Sequence, residues 1–75
     1  MISLKELPDG RKGIIMAING GHGLVEKLDA LGIRAGKEIT KVNSQWMKGP
    51  VIIRSGNTEI AIGYGMAHKI MVEVK

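Results

Sequence analysis

The chain has 75 residues, which is enough for one small domain and too short for two, so residues 1–75 are predicted to form a single domain. Hydrophobic residues make up 44% and charged residues 24%, a composition that predicts a folded core and excludes the disordered class. The absence of cysteine excludes disulfides, thiolate metal ligands and a thiol nucleophile.

The apolar runs are too short for a membrane span. The longest run without a charge or a glycine is Ile14 to Ile18, against the roughly 20 residues that a spanning helix needs. The first six residues also lack the basic and apolar regions of an export signal. We therefore expect a cytoplasmic protein.

The residue types favour strands over helices. Isoleucine and valine together number 16 and leucine only 5, and β-branched side chains suit a pleated sheet. Eleven glycines and two prolines divide the chain into short pieces. A small domain gains most from closing such strands into a barrel. Five strands are predicted, over Arg11–Ile18, Lys37–Asn43, Val51–Ser55, Thr58–Ile62 and Ile70–Lys75.

One short helix is predicted between the first two strands. Leu24, Leu28 and Leu31 recur at i, i+4 and i+7, and Gly32 follows where a helix ends in a left-handed residue. At about two turns this helix needs the barrel for stability, so its leucine stripe is expected to pack on the core.

The first strand is expected to have one buried face and one that is only partly covered. Alternation places Ile14, Met16 and Ile18 on the core face and Ile15 on the other. The sparsely covered faces around Ile15 and Val25 make a homo-oligomer a possible assembly.

No motif for catalysis is present. The serines and threonines lie in no nucleophile-elbow context, and a barrel filled by its own side chains leaves little room for an active-site pocket. The sequence predicts a protein that is not an enzyme. The glycine-rich stretch before the helix lacks the lysine of a phosphate-binding loop, so it is interpreted as a turn.

Metal binding would depend on two histidines, His22 and His68, with nearby carboxylates. Neither histidine has a ligand partner at a characteristic spacing, so both are weak candidates for Fe²⁺ or another divalent transition metal. A solvated histidine is the competing interpretation of each. His68 follows Met66 and Ala67 in a predicted single helical turn.

A positive net charge is typical of proteins that bind nucleic acid. The net charge is +4, but the basic residues are spread evenly and only two aromatic residues exist for base stacking. Nucleic acid is therefore not the expected partner, and a basic RNA-binding barrel is kept only as an alternative function.

The loop between the second and third strands carries the one tryptophan of the chain. Trp46 and Met47 are side chains of the kind that anchor protein partners. Trp46 would equally well cap an open end of the barrel, and the sequence leaves both interpretations open.

The order of glycines and apolar residues resembles a known family. Its most specific elements are Leu28-x-x-Leu31-Gly32-Ile33-x-x-Gly36 and the closing segment from Ile60-Ala61-Ile62 to Val72. In these the chain resembles the FeoA family of ferrous iron transport accessory proteins over nearly its whole length. The resemblance implies a five-stranded SH3-like barrel with one short inserted helix.

The same resemblance implies a function in ferrous iron uptake. It predicts a non-enzymatic accessory protein that binds the cytoplasmic part of a FeoB-type membrane transporter, which carries a GTP-binding domain. The surface residues predicted to contact this partner are Trp46, Met47 and Tyr64. A small protein that itself binds a transition metal is the alternative.

Overall fold

The computed structural model describes residues 1–44 and 49–75. The elements along these residues are β1 (Ile2–Ser3), β2 (Lys12–Ile18), α1 (His22–Ala30), β3 (Glu38–Ser44), β4 (Val51–Ser55), β5 (Thr58–Ile62), α2 (Tyr64–Ala67) and β6 (Ile70–Val74). The predicted mainly β architecture with an inserted helix is confirmed. The predicted count of five strands misses β1, because two residues are too few to show an alternating pattern.

All six strands belong to one sheet, in the order β1-β6-β2-β3-β4-β5, and each neighbouring pair is antiparallel. An extra residue interrupts the register twice, at Met16 in β2 against β6 and at Val42 in β3 against β4. Such bulges bend a strand and increase its twist, which helps a small sheet to curl around a core. Among the described residues no helix is long and apolar enough to cross a membrane.

One cluster of aliphatic side chains fills the interior of the curled sheet. It takes residues from each strand between β2 and β6, from both helices and from the segment after β1. Its members are Leu4, Leu7, Ile15, Leu28, Ile33, Ile39, Val51, Ile53, Ile62, Ala67, Ile70 and Val72. The interior is therefore occupied by the protein's own side chains, and recognition of other molecules falls to the outer surface.

The faces of β2 differ from the prediction before its bulge. Ile15 is 1% exposed and pairs with Val72, whereas Met16 is 46% exposed and Ile14 is half-buried. Ile18 follows the bulge at Met16 and packs against the core, as predicted. The extra residue shifts the period of two, so strict alternation cannot place Ile15 and Ile18 on the same face. The expectation of a sparsely covered face around Ile15 is wrong for the same reason.

Helix α1 ends where the glycine pattern predicted. The N–H of Ile33 donates to the carbonyl of Leu28 and that of Gly32 to Asp29, both at 2.9 Å, and Gly32 has φ +84°. This is a Schellman motif, in which the buried Ile33 and Leu28 side chains complete the helix end. Leu31, predicted to pack on the core, is 48% exposed, because it is the residue at which the chain leaves the helix.

Candidate functional site

A buried lysine fixes the segment between β1 and β2. Lys41 faces the core from β3 and is 3% exposed. Its Nζ donates to the backbone carbonyls of Lys5 at 2.8 Å and Leu7 at 2.6 Å, and lies 3.8 Å from a carboxylate oxygen of Asp9. Burial lowers the pKa of Lys41, and Asp9 opposes that shift. The lysine supplies donors to carbonyls that would otherwise be left unpaired.

The backbone of Lys41 holds the same segment. Its carbonyl accepts from Gly10 at 2.7 Å and its N–H donates to Arg11 at 3.0 Å. The chain turns at Gly10, which takes φ +84°, and the N–H of Arg11 donates to the carbonyl of Pro8. Residues 5–11 are thus attached to β3 by side-chain and backbone bonds together.

This attachment positions a surface cluster of the half-buried Lys5 and Tyr64 and the exposed His68, which we call the Tyr64 cluster. Tyr64 begins α2, and its ring meets the ring of His68 edge to face with centroids 4.6 Å apart. The Nζ of Lys5 lies 5.3 Å from the centroid of the Tyr64 ring, within the range of a cation–π contact. Behind the cluster, Ala67 is fully buried and fixes α2 to the core.

An acidic residue borders the Tyr64 cluster. Glu6 accepts a hydrogen bond from the backbone N–H of Ser3 at 3.1 Å, and that bond lowers the pKa of the Glu6 carboxyl, with a smaller effect from His68. The surface therefore combines an aromatic ring, an ammonium group, an imidazole and a carboxylate. Such side chains suit recognition of another protein, where an apolar body and a polar tip are both used.

The sequence pointed to Tyr64 and His68 separately, and the structure brings them together. Tyr64 begins the helical turn α2, which contains Met66 and Ala67 as predicted, and His68 is the residue that caps it. The sequence did not predict that Lys5 belongs to the cluster or that Lys41 anchors the segment beside it. A signal for Lys41 existed, because it lies two residues after the buried Ile39 and thus on the core face of β3. Trp46 and Met47 lie outside the described residues.

The two histidines have different surroundings. His22 begins α1, and its Nε2 lies 2.9 Å from a carboxylate oxygen of Glu26, with both side chains exposed. His68 packs on Tyr64. Within residues 1–44 and 49–75 no three side chains of the histidine, cysteine, aspartate or glutamate type come together as a metal site would require. The prediction of weak metal ligation at His22 or His68 stays a prediction.

A shallow groove of about 270 Å³ lies between α1 and the end of β2. Ile18, Val25 and Ala35 form its apolar lining, and an ion pair of 2.9 Å between Asp29 and Arg34 forms part of its rim. Its volume lies slightly below the range of typical small-molecule sites, roughly 300–1,000 Å³. The partial exposure predicted for Val25 is confirmed by this groove, since 37% of Val25 is open to solvent.

Comparison with known proteins agrees with these features. A family model described as the FeoA domain matches residues 2–74. A protein of Methanocaldococcus jannaschii named "Putative Fe(2+) transport protein A" is 38% identical over 73 residues, which cover 97% of this chain and 87% of that protein.

Solved structures are similar over the same extent. The crystal structure of an iron uptake regulatory protein (FeoA) is 38% identical, has a TM-score of 0.88 and matches 99% of this chain and 96% of its own. A zinc complex of FeoA from Stenotrophomonas maltophilia, described as a procaryotic SH3 domain protein, is 22% identical with a TM-score of 0.81, covering 97% of this chain and 91% of its own. The predicted SH3-like fold is thus confirmed, and the chain belongs to the FeoA family of Fe²⁺ transport accessory proteins.

Proposed function

We propose that this protein is a non-enzymatic, cytoplasmic accessory factor of ferrous iron uptake that binds the cytoplasmic part of a FeoB-type transporter through the Tyr64 cluster. The observation that carries the proposal is the contact of Lys5, Tyr64 and His68 with one another at the surface, where all three are at least partly open to solvent. Family membership alone supports the process but names no surface. Ferrous ion is the cargo of the transporter in this proposal.

The rigidity of the Tyr64 cluster supports a binding role. Lys5 is held through its carbonyl by the buried Lys41, and Tyr64 stands on a helical turn fixed by the buried Ala67. A side chain that is already in place loses less conformational entropy when a partner binds. The half-buried Tyr64 ring also keeps apolar surface available for a partner.

The chemistry of the described residues gives little support to catalysis. The close contacts of His22 and His68 are with Glu26 and Tyr64, and neither histidine hydrogen-bonds a serine or threonine within the described part of the chain. A nucleophile activated by a base needs such a contact. Binding therefore accounts for the surface better than group transfer does.

The test is the affinity of Tyr64→Ala for the purified cytoplasmic part of the transporter, measured by isothermal titration calorimetry. Removal of a central aromatic anchor is expected to weaken binding by about fivefold or more, which corresponds to a loss of more than about 1 kcal/mol. Val74→Ala is the control, because Val74 is 41% exposed but lies at the far end of β6 from α2. It should leave the affinity unchanged.

Two outcomes would contradict the proposal. If Tyr64→Ala folds normally by circular dichroism and binds like the wild type, the Tyr64 cluster is not the contact surface. Trp46→Ala and Met47→Ala then test the remaining two predicted contact residues. If the wild-type protein itself produces no heat with the cytoplasmic part of the transporter, the proposed partner is wrong.

A further inference from the structure

Strand β5 ends the sheet on one side, and its edge is unusually regular. Its five residues pair with β4 without a register shift, from Val51 with Ile62 to Ser55 with Thr58. The opposite end of the sheet is β1, which has only two residues. A longer strand at the edge of a sheet presents a row of backbone groups that another strand can pair with.

The turn before β5 determines which backbone groups face outward. Two residues, Gly56 and Asn57, connect β4 to β5, and Gly56 takes a left-handed φ of +62°. In a hairpin with a two-residue turn, the flanking pair Ser55 and Thr58 exchanges hydrogen bonds, and every second pair after it does the same. Thr58, Ile60 and Ile62 therefore bond to β4.

The remaining two residues of β5, Glu59 and Ala61, direct both their N–H and their C=O away from β4. No backbone hydrogen bond from either residue to another part of the chain occurs within residues 1–44 and 49–75. Both residues are exposed. The edge thus offers two donors and two acceptors, spaced as an antiparallel strand requires.

Natural proteins usually protect such an edge, and β5 lacks the common protections. It contains no lysine and no proline, and its pairing with β4 has no bulge. Its one charged residue, Glu59, is paired with Arg54 at 2.8 Å, which reduces the charge on that side. Ile60 packs against the core but is only half-buried, so part of its apolar surface is open at the edge.

From these observations we infer that β5 pairs with β5 of a second copy of this chain, in an antiparallel arrangement centred on Ile60. In this register Ile60 of one copy lies opposite Ile60 of the other. Glu59 of each copy lies opposite Ala61 of the other. The outward N–H and C=O groups of Glu59 and Ala61 then form four hydrogen bonds between the copies. The pairing joins two six-stranded sheets into one.

The sequence of β5 suits pairing with a second copy, because the strand is complementary to itself in this register. The symmetric register brings the half-buried Ile60 side chains together and covers their open surface. It places the small Ala61 opposite Glu59, so that no two like charges lie directly opposite each other. A second copy therefore pairs the free backbone groups, covers the open surface of Ile60 and avoids repulsion between like charges. These are the requirements of an interface in which both copies use the same residues.

Cross-linking through a single cysteine tests the register, because the native chain has no cysteine. In Ile60→Cys the two introduced thiols would lie directly opposite each other, at a Cα separation of about 4.5 Å that a disulfide can span. In the control Thr58→Cys the equivalent residues would be four positions apart along the strands, about 13 Å, which is beyond its reach. Under mild oxidation Ile60→Cys is expected to form a disulfide-linked dimer and Thr58→Cys to form none, as read on non-reducing SDS gels.

A pair of charge variants provides a second measurement that does not depend on Ile60. Ala61→Glu places two carboxylates opposite each other and should weaken dimerisation, whereas Ala61→Lys places an ammonium group opposite Glu59 and should strengthen it. Both variants are compared by sedimentation velocity at increasing protein concentration. Because Ala61 is exposed and its N–H faces away from β4, neither change should unfold the protein.

Three results would overturn the inference. They are equal cross-linking of the two cysteine variants, dimerisation that responds in the same way to both charges at position 61, and a wild type that stays monomeric at every concentration. In the last case, weaker binding of Ala61→Glu to the transporter's cytoplasmic part would assign the β5 edge to a strand of that partner instead.

Discussion

Lys5 and Lys41 act on the same short segment of the chain in opposite ways. The ammonium group of Lys41 is enclosed and donates to two backbone carbonyls of the segment, including that of Lys5 itself. The ammonium group of Lys5 lies over the ring of the half-buried Tyr64. The same residue type thus stabilises the fold where it is buried and forms part of the proposed contact surface where it is only half-buried.

The difference depends on whether water can replace the contact that each lysine makes. A buried carbonyl cannot turn to water, so losing its donor leaves it without a partner, at a cost of about 1–3 kcal/mol for each group. An exposed cation–π contact competes with hydration and contributes about 0.5–1 kcal/mol. Mutation of the two lysines should therefore separate stability from binding.

The largest effect is expected from Lys41→Met, which keeps the length of the side chain and removes its donors. Two carbonyls, of Lys5 and Leu7, lose their partner, while removal of a buried charge offsets part of the loss. We expect the free energy of unfolding to fall by about 2 kcal/mol. Urea denaturation followed by circular dichroism measures this value directly.

Lys5→Met is the matched control for that experiment. It removes an ammonium group from the same segment but leaves the backbone bonds to Lys41 in place. Its free energy of unfolding should change by less than about 0.5 kcal/mol, as is usual for surface positions. If both variants lose the same stability, the distinction between the buried and the exposed lysine is wrong.

The pH dependence of stability sharpens the comparison and should be a smaller effect. Burial lowers the pKa of Lys41 in the folded state, so just below the ordinary lysine pKa of about 10.4 the unfolded chain binds more protons. Stability from this residue should therefore rise with pH through that window. The difference in unfolding free energy between wild type and Lys41→Met should grow as the pH approaches about 10.4 and then become constant.

Asp9 makes this measurement decisive, because its carboxylate favours the charged form of Lys41 and opposes burial. A difference that shrinks as the pH rises would show that the attraction of Asp9 exceeds the effect of burial. Other lysines titrate in the same range, but they are present in both proteins and cancel in the difference.

The sequence predicted the elements of this fold far better than the orientation of its side chains. The strands Val51–Ser55 and Thr58–Ile62 were correct to the residue, because a tight turn with a glycine fixes their register. The predicted orientation of Ile15 and Met16 in β2 was wrong because the bulge at Met16 leaves no mark in the pattern of apolar residues. A shift of one residue was enough to exchange the two faces.

The candidate site depends on contacts between residues far apart in the chain. Lys5 and Tyr64 are separated by 59 positions, and no local pattern relates them. The attachment of residues 5–11 to β3 brings them together, and that attachment requires a lysine at a position where the alternation predicts an apolar residue. A charged residue at a core-facing position of a strand is therefore the signal by which this contact could have been found.

Glu6 offers the last and smallest test, at the border between the anchored segment and the Tyr64 cluster. The backbone N–H of Ser3 lowers the pKa of the Glu6 carboxyl, so its charge stabilises the folded state above the ordinary glutamate pKa of about 4.3. That contribution is lost as the pH falls through the lower pKa of the folded state.

Glu6→Gln keeps an oxygen that accepts from Ser3 but removes the titrating charge. The difference in unfolding free energy between wild type and this variant should be constant above about pH 4.3 and disappear at lower pH. Thermal unfolding at a series of acidic pH values measures it, and Glu38, whose pKa is also lowered, is the same in both proteins. A difference that persists unchanged at the lowest pH would mean that the shape of the side chain matters here and its charge does not.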